Sequence, residues 1–141
     1  MRIKLLIVLI SLFMSFSLAP VVVLAGLASF VEAGLPFTTR ATPAVFDRFE
    51  FDAKERNLAG HNLCVVGSDE LSLYWLENRK EVLIKYGVVC YLANVSTLAE
   101  VDRVRQAAHP VPIVLTSADA LVSIFNLRHY PAIIHSNWVF Q

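Results

Sequence analysis

The stretch Leu63-Cys64-Val65-Val66-Gly67-Ser68-Asp69-Glu70-Leu71-Ser72-Leu73-Tyr74-Trp75-Leu76 decides the fold. Leu63 to Val66 is an unbroken apolar run, the pattern of a short strand buried on both faces. The run stops at Gly67. Ser68 or Asp69 then offers a side-chain oxygen to the bare amides of a starting helix, and the acids Asp69 and Glu70 suit the positive end of its dipole. Leu71, Trp75, Val82 and Tyr86 fall on one helical face, flanked by Leu76 and Leu83, and Gly87 supplies the left-handed stop.

The same alternation continues downstream. Val88 to Ala93 reads as a second strand, and Thr97-Leu98-Ala99-Glu100 as a capping box opening a helix striped by Leu98, Val101, Val104 and Ala108. His109-Pro110 closes that helix. Ile113 to Leu115 is a third strand, and Ser117 can cap a helix with Leu121, Val122 and Phe125 inward. Ala132 to Ile134 and Trp138 to Phe140 form a terminal antiparallel hairpin around Ser136-Asn137. Strand-helix alternation of this kind calls for an α/β fold with helices on both faces of the sheet and right-handed crossovers. Counting from Leu63, the expected sheet is mostly parallel and five-stranded, in the order 3-2-1-4-5, with the fourth strand antiparallel to the first. That arrangement resembles the thioredoxin fold.

Upstream the chain changes character. Its 141 residues suffice for one domain, and 56% apolar against 17% charged residues excludes a disordered or coiled-coil protein. Twelve basic residues balance twelve acidic ones, so neither a long-range field nor a local cluster favours direct nucleic-acid binding. After Arg2 and Lys4, no charge appears until Glu32. Two cations, an apolar run and the small residues of Val23-Leu24-Ala25 describe a signal peptide over residues 1–25. The alternative is an uncleaved anchor reaching about residue 31, since the run is long enough for a hydrocarbon layer of ~30 Å. Either way the remainder is expected outside the cytoplasm, in the periplasm, with contact to the inner membrane only if the helix stays attached. Residues 26–60 read as an exposed arm, broken by Pro36 and Pro43 and dotted with Phe37, Phe46, Phe49 and Phe51. Those rings either tuck onto the domain's own surface or dock on a partner. Residues 61–141 are the folded domain.

The segment Phe125-Asn126-Leu127-Arg128-His129-Tyr130-Pro131-Ala132-Ile133-Ile134 resembles the thioredoxin passage from helix to strand through a cis-proline. Asn126 would take a left-handed conformation, which Asn tolerates, and Pro131 would be the cis residue; a trans bond in a plain edge strand is the alternative. In thioredoxins the reactive Cys-x-x-Cys stands at the first strand-helix junction. Here Gly67 to Ser72 holds no cysteine, and a serine hydroxyl is too weak an acid to do a thiolate's work. Cys64 and Cys90 lie in apolar runs of what should be neighbouring parallel strands. An exported protein with two cysteines invites a disulfide, but the geometry between such strands is demanding, so two separate buried thiols are expected. His61, His109, His129 and His135 lack a metal-ligand spacing. No triad elbow or phosphate loop is present, and neither a metal nor a cofactor is expected.

Val65-Val66-Gly67-Ser68-Asp69-Glu70-Leu71-Ser72-Leu73-Tyr74-Trp75-Leu76 also resembles the Val-Gly-Asp-Asp-x-x-Ser-x-x-Trp-Leu signature of an uncharacterised family of integrating conjugative element proteins. The ending Leu127-Arg128-His129-Tyr130-Pro131-Ala132-Ile133-Ile134 and the final Gln141 are similar to that family's C-terminus. This sequence departs from the pattern at Ser68, Cys64, Cys90 and Asn137-Trp138. The resemblance implies a periplasmic, non-catalytic accessory of a type IV secretion-like DNA transfer apparatus, similar in fold to thioredoxin-like pilus-assembly proteins. Its partners would be other proteins of that complex. Ser68, Asp69, Ser72, Tyr130 and Pro131 would form the floor of the partner-binding surface, so Ser72→Trp should leave the fold intact and reduce DNA transfer. Two other readings remain open: a redox protein or thiol chaperone using Cys64 or Cys90, and a membrane-tethered structural subunit.

Overall fold

The structure, a computed structural model, describes residues 31–52, 58 and 60–141. The expected signal peptide, residues 1–25, lies outside the described residues. The chain divides into a unit ending at Ala33 and one running from Gly34 to Gln141, and the second carries all that follows. Among the described residues no helix is long and apolar enough to cross a membrane.

The elements run β1 (Thr42–Pro43), β2 (Phe49–Glu50), β3 (Leu63–Val66), α1 (Glu70–Tyr86), β4 (Val89–Leu92), α2 (Leu98–Ala108), β5 (Ile113–Ser117), α3 (Asp119–Ile124), β6 (His129–Tyr130), β7 (Ala132–His135) and β8 (Trp138–Phe140). The main sheet has six strands in the order β2-β8-β7-β3-β4-β5. β3 and β4 pair in parallel, as do β4 and β5. β7 runs antiparallel to both β3 and β8, and β2 antiparallel to β8. The strands from Leu63 onward thus stand in the expected order. The sheet is nevertheless mixed and six-stranded, where a mostly parallel five-stranded one was expected.

The sixth strand comes from upstream, and the reason is physical. Without β2, β8 would be an edge strand with a row of unpaired amides and carbonyls. Phe49 and Glu50 pair with Val139 and Trp138 and satisfy part of that row. A separate two-stranded pairing sets β1 parallel to β6. Of the segment expected to hang as an exposed arm, the described residues from Phe37 to Phe51 are therefore built into the fold. Phe37 is buried among the residues of one core cluster, Ala41 and Phe51 in the other, and Phe46 and Phe49 pack half-buried against the second. The rings tuck onto their own domain.

Strand alternation sorts the interior into two layers. Cys64, Val66, Cys90, Leu92 and Ile133 meet α1 and α2 on one face, while Val65, Ala132, Ile134 and Val139 meet α3 and Phe51 on the other. Local signals hold at most element ends. Asp69 caps α1, Gly87 ends it at φ 59°, and Thr97 with Glu100 makes the capping box of α2. The cap position of α3 falls one residue later than its candidate: Ala118 occupies it, and Ser117 Oγ accepts from the Asp119 amide at 3.2 Å. The buried face of α1 is centred on Ser72 and on the expected Trp75, Leu76 and Leu83, rotated slightly from the expected face, whose other members were Leu71, Val82 and Tyr86. Those three residues are half-buried on its flank.

Cys64 and Cys90 are joined in a disulfide, which corrects the expectation of two separate thiols. They are direct register partners on β3 and β4, with Cα atoms 4.3 Å apart and both side chains on the α1-α2 face. Register, which apolar runs alone leave open by a residue either way, decides whether the sulfurs meet. Both cysteines are 0% exposed.

Candidate functional site

At the junction of β3 and α1 the polar atoms form a closed ring. One Asp69 carboxylate oxygen accepts from the Ser72 amide at 2.8 Å, and the other accepts from the Ser72 hydroxyl at 2.8 Å. The Ser72 oxygen in turn accepts from the Gly67 amide at 3.0 Å. Ser72 thereby spends its donor and one acceptor site inside a fully buried position. A carboxylate beside a hydroxyl suggests an activated nucleophile only where substrate can reach it. Here nothing can.

Across from this ring stands Tyr130, 2% exposed, at the end of β6. Its hydroxyl accepts from Asn94 Nδ2 at 2.9 Å. Asn94 is a hub: Nδ2 also donates to the Ala41 carbonyl at 2.9 Å, and Oδ1 accepts from the Thr39 amide at 2.7 Å. The Asn94 carbonyl accepts from the Ser68 hydroxyl at 3.4 Å. Tyr130-Pro131 is cis and Asn126 sits at φ 50°, as the thioredoxin-like reading of that segment expects. Gly67 is required by close approach: a Cβ there would stand 2.6 Å from Asp69 Oδ2 and 2.6 Å from the Tyr130 ring.

The upstream segment lies over this cluster. Phe37 and Val95 exchange backbone hydrogen bonds of 2.8 and 3.0 Å, the Thr42 amide donates to the Arg128 carbonyl, and the Ala44 amide donates to the Tyr130 carbonyl. The five residues expected to form a docking floor are accordingly brought together but not presented. Ser72, Tyr130 and Pro131 are buried, and only Ser68 and Asp69 are partly exposed. This corrects the expected surface, whose central positions the chain itself covers. Asn94, Thr39 and Ala41 escaped the sequence reading. Asn94 carried one usable signal, a lone amide closing the apolar run Val88 to Ala93.

Burial pushes the Tyr130 phenol above its ordinary value, with the Asn94 hydrogen bond opposing and the Asp69 charge reinforcing the rise. Below the usual tyrosine value near 10.0 the phenol is neutral folded or unfolded. Above it the unfolded chain ionises first, so the stability held by neutral Tyr130 is lost as pH climbs through the folded-state value. Melting temperatures between pH 9 and 11.5 should fall more steeply for the wild type than for Tyr130→Phe (approximate window). Parallel curves would show that Tyr130 ionises freely.

The disulfide lies in the sheet behind this junction and has no exposed sulfur. Among the described residues no group of three or more His, Cys, Asp and Glu side chains is placed to hold a metal ion. A protein-family model described as "Protein of unknown function (DUF2859)" matches residues 31–139. No curated protein and no solved structure matches the chain.

Proposed function

The chain belongs to the family described as "Protein of unknown function (DUF2859)", and from that premise we propose that it is a non-catalytic, exported accessory protein with a thioredoxin-like fold. Its setting is a type IV secretion-like DNA transfer apparatus of an integrating conjugative element, in the periplasm or at the outer face of the inner membrane. It acts by protein-protein contact. The resemblance of Val65 to Leu76 and of Leu127 to Ile134 to conjugative-element proteins supports the setting.

One observation carries the non-catalytic part. At the junction where a thiol oxidoreductase keeps its reactive sulfur, this chain has Asp69 and Ser72 hydrogen-bonded to each other, with Ser72 fully buried. The protein's two cysteines are tied together with no exposed surface, where a thiolate cannot meet a substrate disulfide. A structural disulfide also suits an oxidising compartment and supports export.

The test is deletion of the chain from donor cells carrying the element, with complementation by wild type and by Cys64→Ala/Cys90→Ala at equal protein level. The expected result is loss of DNA transfer by tenfold or more (order of magnitude, one tenfold step), restored by both. Fractionation should find the chain in the envelope. Normal transfer in the deletion strain, or a cytoplasmic location, would overturn the setting. Failure of the cysteine variant at equal protein level would return the redox reading.

A further inference from the structure

A cleft of about 550 Å³ opens between α1, the β7-β8 hairpin and the segment before β2. Arg79 and Tyr86 come from α1, His135, Trp138 and Phe140 from the hairpin, and Arg48 from upstream. β8 sets Trp138 and Phe140 on one face, both half-buried. Tyr86 packs against His135 at 4.7 Å and edge-on to Phe140 at 5.9 Å, so the wall is aromatic and interlocked.

The polar groups of this wall are oriented but unspent. Asn62 Nδ2 donates to the Tyr86 carbonyl at 2.5 Å, which turns Asn62 Oδ1 towards His135 Nδ1 at 2.7 Å. An amide oxygen only accepts, so Nδ1 carries the proton and Nε2 is the free ring nitrogen. The Arg48 guanidinium lies over the Trp138 ring at 4.9 Å, a stacking that leaves its N–H edges available. Arg79 makes no hydrogen bond or ion pair among the described residues. Among the described residues lining the cleft, one acidic side chain, Asp47, stands against two guanidinium groups.

We propose that this cleft binds an acidic peptide segment of a partner protein, one that sets a carboxylate beside an aromatic or aliphatic side chain. The carboxylate pairs with Arg48 and Arg79, the apolar side chain lies on Trp138 and Phe140, and His135 Nε2 bonds the peptide backbone. The volume fits one or two side chains, within the range of small-ligand sites. Nucleic acid fits less well, because it needs several phosphates neutralised along a basic track and the chain's charges balance at twelve each. The inference rests on the adaptor reading only in expecting a protein partner.

The experiment uses the isotope-labelled full chain and the blocked peptide acetyl-Glu-Phe-Asp-Phe-Glu-amide, followed by NMR. Saturable shifts are expected at the Trp138 indole N–H and the His135 ring. Binding should weaken at least about fivefold in Arg79→Gln and in Arg48→Gln, by loss of a charge-assisted bond, and should weaken with added salt. Both arginines are exposed, so these variants should keep the wild-type spectrum elsewhere. No saturable shift, equal binding of the Gln/Asn version of the peptide, tighter binding of a thymidine oligonucleotide, or burial of the cleft in a self-associated dimer would each overturn the proposal. None of these outcomes touches export or DNA transfer, so the two readings fail separately.

Discussion

Replacing Cys64 and Cys90 together with alanine is expected to lower the unfolding free energy by about 3.5 kcal/mol. The bridge spans a sequence separation of 26 residues. It shortens a loop that begins on the central strand β3, crosses through α1 and returns on β4, so the unfolded chain loses much of its freedom while the bond holds. For a domain of this size that loss is a large share of the whole stability. Urea denaturation of the double variant against wild type gives the number directly. Thiol counting adds a sharper distinction. Unreduced protein unfolded in denaturant should react with no thiol reagent at all, whereas two buried free thiols would react fully on unfolding. Reduction without denaturant should be slow, because both sulfurs lie beneath α1 and α2. Two equivalents of label on the unreduced, unfolded chain would remove the disulfide from this account.

Ser72→Trp is expected to prevent stable folding. Ser72 has no exposed surface and lies on the buried face of α1 with Trp75 and Leu76. Indole at that position overfills a packed interior and strips the Gly67 amide and an Asp69 oxygen of their partner, a combined cost of about 3 kcal/mol or more. The expected readout is insoluble protein, or a urea midpoint far below wild type. A soluble variant of near-wild-type stability would mean that the Asp69-Ser72 ring faces solvent. The milder Ser72→Ala keeps the volume and removes only the hydroxyl. Its loss should be about 1–3 kcal/mol, the penalty for the unpaired Gly67 amide.

The two substitutions mark where reading along the chain succeeds and where it stops. Caps were legible because each is an agreement among residues three or four apart: Asp69 with Ser72, Thr97 with Glu100, Gly87 with the last turn of α1. The turn residues Asn126 and Ser136 also lie at positive φ, in segments where a short polar side chain makes that conformation tolerable. The strand order followed from apolar runs and handed crossovers, which needs no knowledge of side-chain contacts.

The face of a helix was harder. An apolar face through Leu71, Trp75, Val82 and Tyr86, flanked by Leu76 and Leu83, is a fair reading of hydrophobicity, yet burial centres on Trp75 and that flank and runs through a serine. Ser72 is tolerated there because Asp69 and Gly67 satisfy its hydroxyl, a fact that hydropathy does not encode. The upstream segment was harder still. Its phenylalanines were visible, but their destination depends on β8 needing a partner and on Asn94 holding Thr39 and Ala41 from the distant bend after β4.

By itself the sequence determined the alternation of strands and helices, their order in the sheet, and the caps and left-handed residues that start and stop them. Those features arise from interactions between near neighbours and from the apolar period, both written in consecutive residues. Only the tertiary structure decided that Cys64 and Cys90 meet, that the arm completes the sheet, and that Ser72 and Tyr130 are sealed inside. Each of these depends on register or on packing between segments far apart in the chain, where a shift of one residue exchanges a buried side chain for an exposed one.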